Sequence, residues 1–451
     1  MISDAAAFHR FGLGPRPGDL DVGDVRAALR DEIGDRAAAR LDSPGLLDAG
    51  GALSAMIAIR QAQAAARNGA NNMLLMVEPQ DRVTAETINR DEIAARVARV
   101  LGARIGFVDR LVAFWNNHFA VEASSGMDER ALVGAFEREA IRPYVLGSFR
   151  DLLGAATKHP AMLGYLDNAL SVGPNSPAGL AANRGLNENH ARELLELHTV
   201  GVDAGYTQAD VTALARILTG WTFVARDAPS GPPVGSFIFR AQAHEPGVQT
   251  VLGIAYPDDG VGQGEAVLDF LAAHPATANH IARKLARHFV ADEPAPELVD
   301  RLANTFAASG GDLQAVAVAL IDSDEAFADE RRLKPPQEFL WSAIRALGIT
   351  PAPRQVVAIL TSLGQPLFNP PSPEGFDDDG ATWLAPDAMT TRLDVAEQMA
   401  LAASPALRPG ELAEAVLGDE LQSGSLVALL AAESEVQALT MLLMLPEFQR
   451  R

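Results

Sequence analysis

Apolar residues recur at helical spacing along most of the chain. From Ile93 to Phe119, the positions Val97, Val100, Leu101, Val108, Leu111, Val112 and Trp115 keep close to that spacing and predict one long helix. Ala- and Arg-rich helices are expected over 22–40 and 53–68, with a more irregular stretch at 69–85. A helix over 128–140 should stop before Pro143, and Ser148 is placed to cap one running to Thr157. Pro160 suits the first position of the next, since a missing N–H costs nothing there. Residues 187–220 carry the strongest punctuation. Asn187 is positioned to cap a helix ending at Gly201. Thr207 and Asp210 form a variant capping box, Tyr206 and Val211 its hydrophobic staple, and Gly220 closes the second helix.

Strand patterning is found in one place. SFIFRAQAHEPGVQTVLGIAY (236–256) predicts two short strands around a His-Glu-Pro-Gly turn. Helices resume near 262–273, 275–290, 296–308, 312–320 and 335–347, and 364–383 is a Pro-rich loop. The expected architecture is mainly α: a large multi-helix single domain over 1–451 with one inserted β-hairpin. The alternative is a boundary near residue 330.

Composition narrows the function classes. The 451 residues carry a net charge of −21, which repels phosphate backbones and anionic membrane surfaces, so nucleic acid is not an expected partner. With no cysteine there are no disulfides, thiolate metal sites or cysteine nucleophiles. No uncharged apolar stretch is long enough to span a membrane, and the N-terminus lacks a signal-peptide pattern. A soluble, cytoplasmic protein is the expectation for the chain as written.

Candidate chemistry concentrates in two segments. FWNNHFAVEAS (114–124) places His118 beside Asn116 and Asn117. Imidazole there can bind a metal or move protons near neutral pH, or simply be satisfied by a backbone carbonyl. NENHARELLELHT (187–199) brings Asn189, Arg192, Glu193, Glu196 and His198 together. Glu193 and Glu196 share a helix face, but His198 lies about 200° round from Glu196, so a site here needs groups from elsewhere. Asp167 and His118 are the expected contributors. Arg192 can pair with Glu196, and the whole set can equally form a buried polar network. His244 sits in the expected hairpin turn. His280, Lys284 and Arg287 form a helical stripe suited to a phosphate or carboxylate, although pairing with acidic neighbours is the commoner use of such a stripe. GVGQGE (260–265) lacks the spacing of a nucleotide-binding loop, and no G-x-S-x-G elbow occurs.

The segments FHRFGLGPRPGD, FWNNHF, HPAMLGYLDN, NENHARELLELHTVGVDAGYTQADV, ARILTGWT, FIFRAQAHEPGVQTVLG, HPATANHIARKL and GQPLFNPPSPEGF together resemble the bacterial family called domain of unknown function 1800. The resemblance runs nearly end to end. Relatives commonly read Trp-His-Asn-His where this chain has Trp115-Asn116-Asn117-His118, and His-Asp with a following Lys where it has His244-Glu245 and Gln249. The resemblance implies no established activity. It implies that relatives are often exported, the alternative to a cytoplasmic location, and often encoded beside a sulfatase-like companion, a candidate partner. The leading expectation is a hydrolase-like or metal-assisted enzyme. His118, Glu193, His198 and Asp167 would be its catalytic groups or ligands to a divalent metal, and Asn117, Asn189, Arg192, Glu196 and His244 would bind. The alternative is a non-catalytic scaffold or partner protein.

Overall fold

The computed structural model describes residues 2–67, 83–182, 185–226 and 231–451, so most of the irregular 69–85 stretch lies outside the described residues. These residues form 22 α-helices and two small two-stranded antiparallel sheets, the mainly helical architecture that the patterning predicts. No helix among them is long and apolar enough to cross a membrane.

The expected long helix is two helices, Ala85–Gly102 and Phe107–His118. Gly106 breaks it with a φ of 91°, which disfavours any side chain. The Leu13 side chain occupies the space a Cβ on Gly106 would need, and the Leu13 N–H donates to the Ile105 carbonyl at 2.9 Å. The apolar spacing survives the break because both pieces face one core. Asn187 does not cap a helix reaching Gly201: the helix is Asn189–Glu196 with Glu188 at its N-cap, and the Asn187 side chain accepts the Asn189 N–H at 2.8 Å. The caps at Ser148 and Thr207 form as read, as does the start at Pro160. Ser148 accepts from the Asp151 N–H, Pro160 opens its helix, and Thr207 and Asp210 close a reciprocal capping box.

The strands of the 236–256 segment form but do not pair with each other. β1 (Trp221–Phe223) pairs with β2 (Phe237–Phe239), and β3 (Gln249–Val251) pairs with β4 (Ile254–Tyr256). Turn chemistry explains the choice. Leu252 and Gly253 both adopt positive φ, 48° and 79°, and make the two-residue turn that suits the twist of a hairpin. The His-Glu-Pro-Gly segment is left as the link between the sheets.

One continuous apolar cluster runs from Ala7 to Phe448. Phe11 anchors its middle, with Phe107 at 5.7 Å, Phe289 at 6.1 Å and Phe327 at 5.0 Å between ring centroids. Unusually large polar side chains share this interior. Arg10, Arg110, Arg345, Arg392 and Arg451 are all fully buried. Arg10, Arg110, Arg345 and Arg392 donate to backbone carbonyls, and Arg451 pairs with Glu338 at 3.1 Å. Arg345, on the Pro336–Leu347 helix, donates to the carbonyls of Gly14, Val100, Ala103 and Arg104 and pairs with Asp19 at 3.1 Å. It therefore ties the N-terminal segment and the end of the Ala85–Gly102 helix to a helix more than two hundred residues away. Arg142 plays the same part beside the Glu137–Ile141 π-helical turn, reaching Glu137 at 2.8 Å, Asp109 at 3.1 Å and the Ala39 carbonyl at 2.8 Å.

Truncating such a hub leaves several buried acceptors unpaired at once. Arg345→Ala should destabilise the protein by about 3–5 kcal/mol, read as a lower urea midpoint. A midpoint within error of wild type would show that these carbonyls find other donors.

Candidate functional site

The site is built where three helices meet. The Phe107–His118 helix presents His118 at its last position. The Asn189–Glu196 helix ends in the interior, and the carbonyls of Leu197 and His198, just past its end, have no intrahelical partner. The Pro275–Phe289 helix, capped by His274 and opened by Pro275, carries His280, Lys284, Arg287 and His288. Two imidazoles finish the middle helix. His118 Nε2 lies 3.2 Å from the His198 carbonyl, and His280 Nε2 lies 3.1 Å from the Leu197 carbonyl. A carbonyl only accepts, so both rings carry their proton on Nε2 and hold a lone pair on Nδ1. The Nδ1 atom of His118 is buried and has no partner among the described residues. Burial, reinforced by Lys284, His198 and His280, holds the His118 pKa well below 6.5. Burial followed by Lys284 lowers that of His280 to about 4. Both rings are therefore neutral at pH 7.

His118 also lines a pocket of about 320 Å³, shared with Asn117, Lys284, Arg287, His288 and Glu374. Segment 371–378 of the Pro-rich loop forms its other wall. Asn117 clamps that loop with both ends of its amide. Its Nδ2 donates to the Phe376 carbonyl at 2.9 Å, and its Oδ1 accepts the Phe376 N–H at 2.8 Å. Gly375, at φ 91°, lies against Asn117 with no room for a Cβ. Asp378 completes the attachment, accepting from His288 Nδ1 at 2.9 Å and lying 3.7 Å from both Arg332 and Arg451.

The charges in this pocket are unevenly used. Asp378 is committed as described, and Asp377 accepts from Thr382 and from the Asp379 N–H. Arg287 has only a 3.9 Å approach to Asp379, and its Nε is buried without a partner. Lys284 makes no hydrogen bond or ion pair with another described residue. Burial lowers its pKa from the ordinary lysine value, although Asp378 and Glu374 oppose the shift. The other two lysines are engaged: Lys158 with Glu265 at 2.8 Å, Lys334 with the Phe448 carbonyl at 2.6 Å and with Ser342 at 3.2 Å. Of the carboxylates that line the pocket, exposed Glu374 is the one whose side chain has no hydrogen-bond partner among the described residues.

The expected site residues divide accordingly. His118 and Asn117 reach the pocket. His198 stands behind His118 at 5.9 Å between ring centroids, buried, with Nε2 unpaired. Glu193 is partly buried near the rim. Burial raises its carboxyl pKa, and Glu196 and Glu374 raise it further. Asp167 is exposed, adopts a φ of 57° and does not line the pocket. Asn189 is exposed on the first turn of its helix. Arg192 pairs with Glu188 at 3.5 Å instead of Glu196, the order in which the acid precedes the base along the helix, and also meets Gln208 at 3.0 Å. Glu196 accepts from the Tyr206 hydroxyl at 3.1 Å. His244 is buried in the link between the sheets, where its Nδ1 donates to the Thr219 carbonyl at 3.0 Å. Those last residues hold the fold together. Among the described residues, no three His, Asp or Glu side chains are grouped so as to hold a metal ion, so the donor set does not fit a metal centre. Lys284 and Arg287 are the residues that sequence reasoning undervalued, because the stripe was expected to meet acidic partners. The signal was present in the scarcity of lysine and in the i, i+3 spacing of the two cations.

His190, on the same helix as Glu193, tests the role of burial. Neither of its ring nitrogens has a partner, and burial alone lowers its pKa to about 4. The unfolded chain takes up a proton at His190 below about pH 6.5 that the folded chain refuses until about pH 4. Stability is thus complete above that upper value and falls as the pH drops, by about 1.4 kcal/mol per unit for this one group. In urea unfolding between pH 6.5 and 4.5, His190→Leu should flatten the acid slope by about that amount. An unchanged slope would mean that His190 titrates normally in the fold.

No curated protein and no solved structure gives a significant match to the chain. The model of the family described as "Protein of unknown function (DUF1800)" matches residues 6–450, and the chain therefore belongs to that family.

Proposed function

We propose that the pocket between His118 and the 371–378 loop is an enzyme-like acid–base site for a small anionic substrate. The observation that carries this reading is the position of Lys284, a lysine amine facing a pocket without a partner, in a protein whose other lysines are all engaged. Pocket residues whose protonation is pushed from the ordinary range, next to uncommitted polar groups, are the physical mark of functional sites. Lys284 and the Arg287 guanidinium share the pocket with Glu374, Asp377 and Asp378, and of these carboxylates Asp378 is balanced from outside by Arg332 and Arg451. The two cations lie three residues apart on one helix, a pairing that suits a phosphate, sulfate or carboxylate group. His118 lines the same pocket as a neutral ring whose Nδ1 is buried and unpartnered among the described residues, so it can take a proton from a substrate group or water that reaches that depth, as a hydrolytic or phosphoryl- or sulfuryl-transfer step needs. The reading uses no metal.

The test is ligand stabilisation followed by turnover. Millimolar sulfate should raise the melting temperature of the wild-type protein, since a ligand that binds only the folded state stabilises it by mass action. Lys284→Met and Arg287→Met should each remove the effect. A panel of aryl phosphates, aryl sulfates and carboxylate esters should then reveal an activity lost in His118→Ala. A sulfate shift that persists in both cation variants, or its absence in wild type, would overturn the reading.

A further inference from the structure

We infer that Lys284 is a nucleophilic lysine that captures a small anionic aldehyde or 2-oxo acid as an imine. This rests on the acid–base reading of the pocket and names its substrate class. Three placements carry it. The Lys284 amine borders a half-open pocket of about 320 Å³ and has no hydrogen bond or ion pair among the described residues, so no carboxylate holds it as the ammonium. Arg287 lies three residues on along the same helix, lines the same pocket and has its Nε unpaired, so it can hold the carboxylate or phosphate of the incoming carbonyl compound. Glu374 stands on the opposite wall with its side chain free to exchange protons. A lysine needs such surroundings to react, because its ammonium form has no lone pair. Burial and Arg287 favour the neutral amine, while Asp378 and Glu374 oppose it.

The chemistry balances without any other reactant. Lys284 Nζ attacks the carbonyl carbon, a C–N bond forms, and the carbonyl π electrons move to oxygen. That oxygen takes a proton that the Glu374 carboxylate relays from the nitrogen, which leaves a neutral carbinolamine. The nitrogen lone pair then forms C=N as the hydroxyl departs, and Glu374 relays the remaining N–H proton to it, so that it leaves as water. Amine and carbonyl become imine and water, and water reverses the step.

The experiment is reductive trapping on the full-length protein with glyoxylate and cyanoborohydride at neutral pH, read by peptide mass mapping. The three lysines fall in separate sequence segments, so the adduct is assigned directly. Trapping should be selective for Lys284 and severalfold faster there than at Lys158, whose ammonium is held by Glu265 at 2.8 Å. Lys284→Arg should lose the adduct while keeping the wild-type circular dichroism. Glu374→Gln should slow trapping at Lys284, and Arg287→Gln should slow it for glyoxylate but not for uncharged acetaldehyde. Equal labelling of Lys158 and Lys284, or rates untouched by Glu374→Gln, would overturn the proposal. If sulfate still stabilises the protein in a Lys284-dependent way, the imine chemistry has failed and the anion pocket stands. If neither signal appears, both have failed.

Discussion

The end of the Asn189–Glu196 helix is the constraint on which the site depends. The carbonyls of Leu197 and His198, just past its last turn, need donors in a place where an unpaired acceptor costs about 1–3 kcal/mol. His118 and His280 supply the donors, from helices distant in sequence. Each must keep its proton on Nε2 to do so, and burial keeps each ring neutral, so the packing and the protonation state support one another. The same bonds fix where the Phe107–His118 and Pro275–Phe289 helices stand. They thereby decide that the Nδ1 of His118 is left without a partner and that Lys284 borders the pocket.

The buried arginines extend this logic to the rest of the molecule. Arg345 gathers carbonyls around the N-terminal segment, and Arg332 donates to the carbonyls of Arg287 and His288 at the end of the Pro275–Phe289 helix while reaching Asp378. A guanidinium has five N–H donors in a fixed fork, which suits a place where several carbonyls converge. Asp378 is the joint between this scaffold and the pocket loop. It is held far down the acid range by His288, Arg451 and Arg332 against the opposing effect of burial, so it stays charged and keeps the loop attached. Asn117 secures the same loop from the other side.

Much of this was legible in the chain. Helix caps at Ser148 and Thr207 form as read because they depend on neighbours three residues away. The break at Gly106 was missed because Leu13, which fills the space beside it, is remote in sequence. Strand partners were missed for the same reason, since β2 pairs with a strand before the alternating segment. Within the site, His118 was legible from its polar neighbours and its position at a helix end. Lys284 was not, because its value lies in an absence. A stripe of cations ordinarily meets carboxylates, and only the three-dimensional arrangement shows Asp377 and Asp378 already engaged elsewhere. Arg192, Glu196 and His244 looked chemical by residue type and prove to be ties between elements.

The central claim is that the fold holds an unpaired, partly desolvated lysine amine beside a neutral histidine. It is tested most directly by titrating Lys284 itself, using lysine-selective nitrogen-15 labelling and NMR, with Lys284→Met to assign one signal among three. The account predicts a midpoint for Lys284 below the ordinary lysine value of about 10.4, rising in the presence of sulfate. A midpoint at or above that value, unmoved by sulfate, would mean that the amine is solvated or paired, and the site described here would not exist.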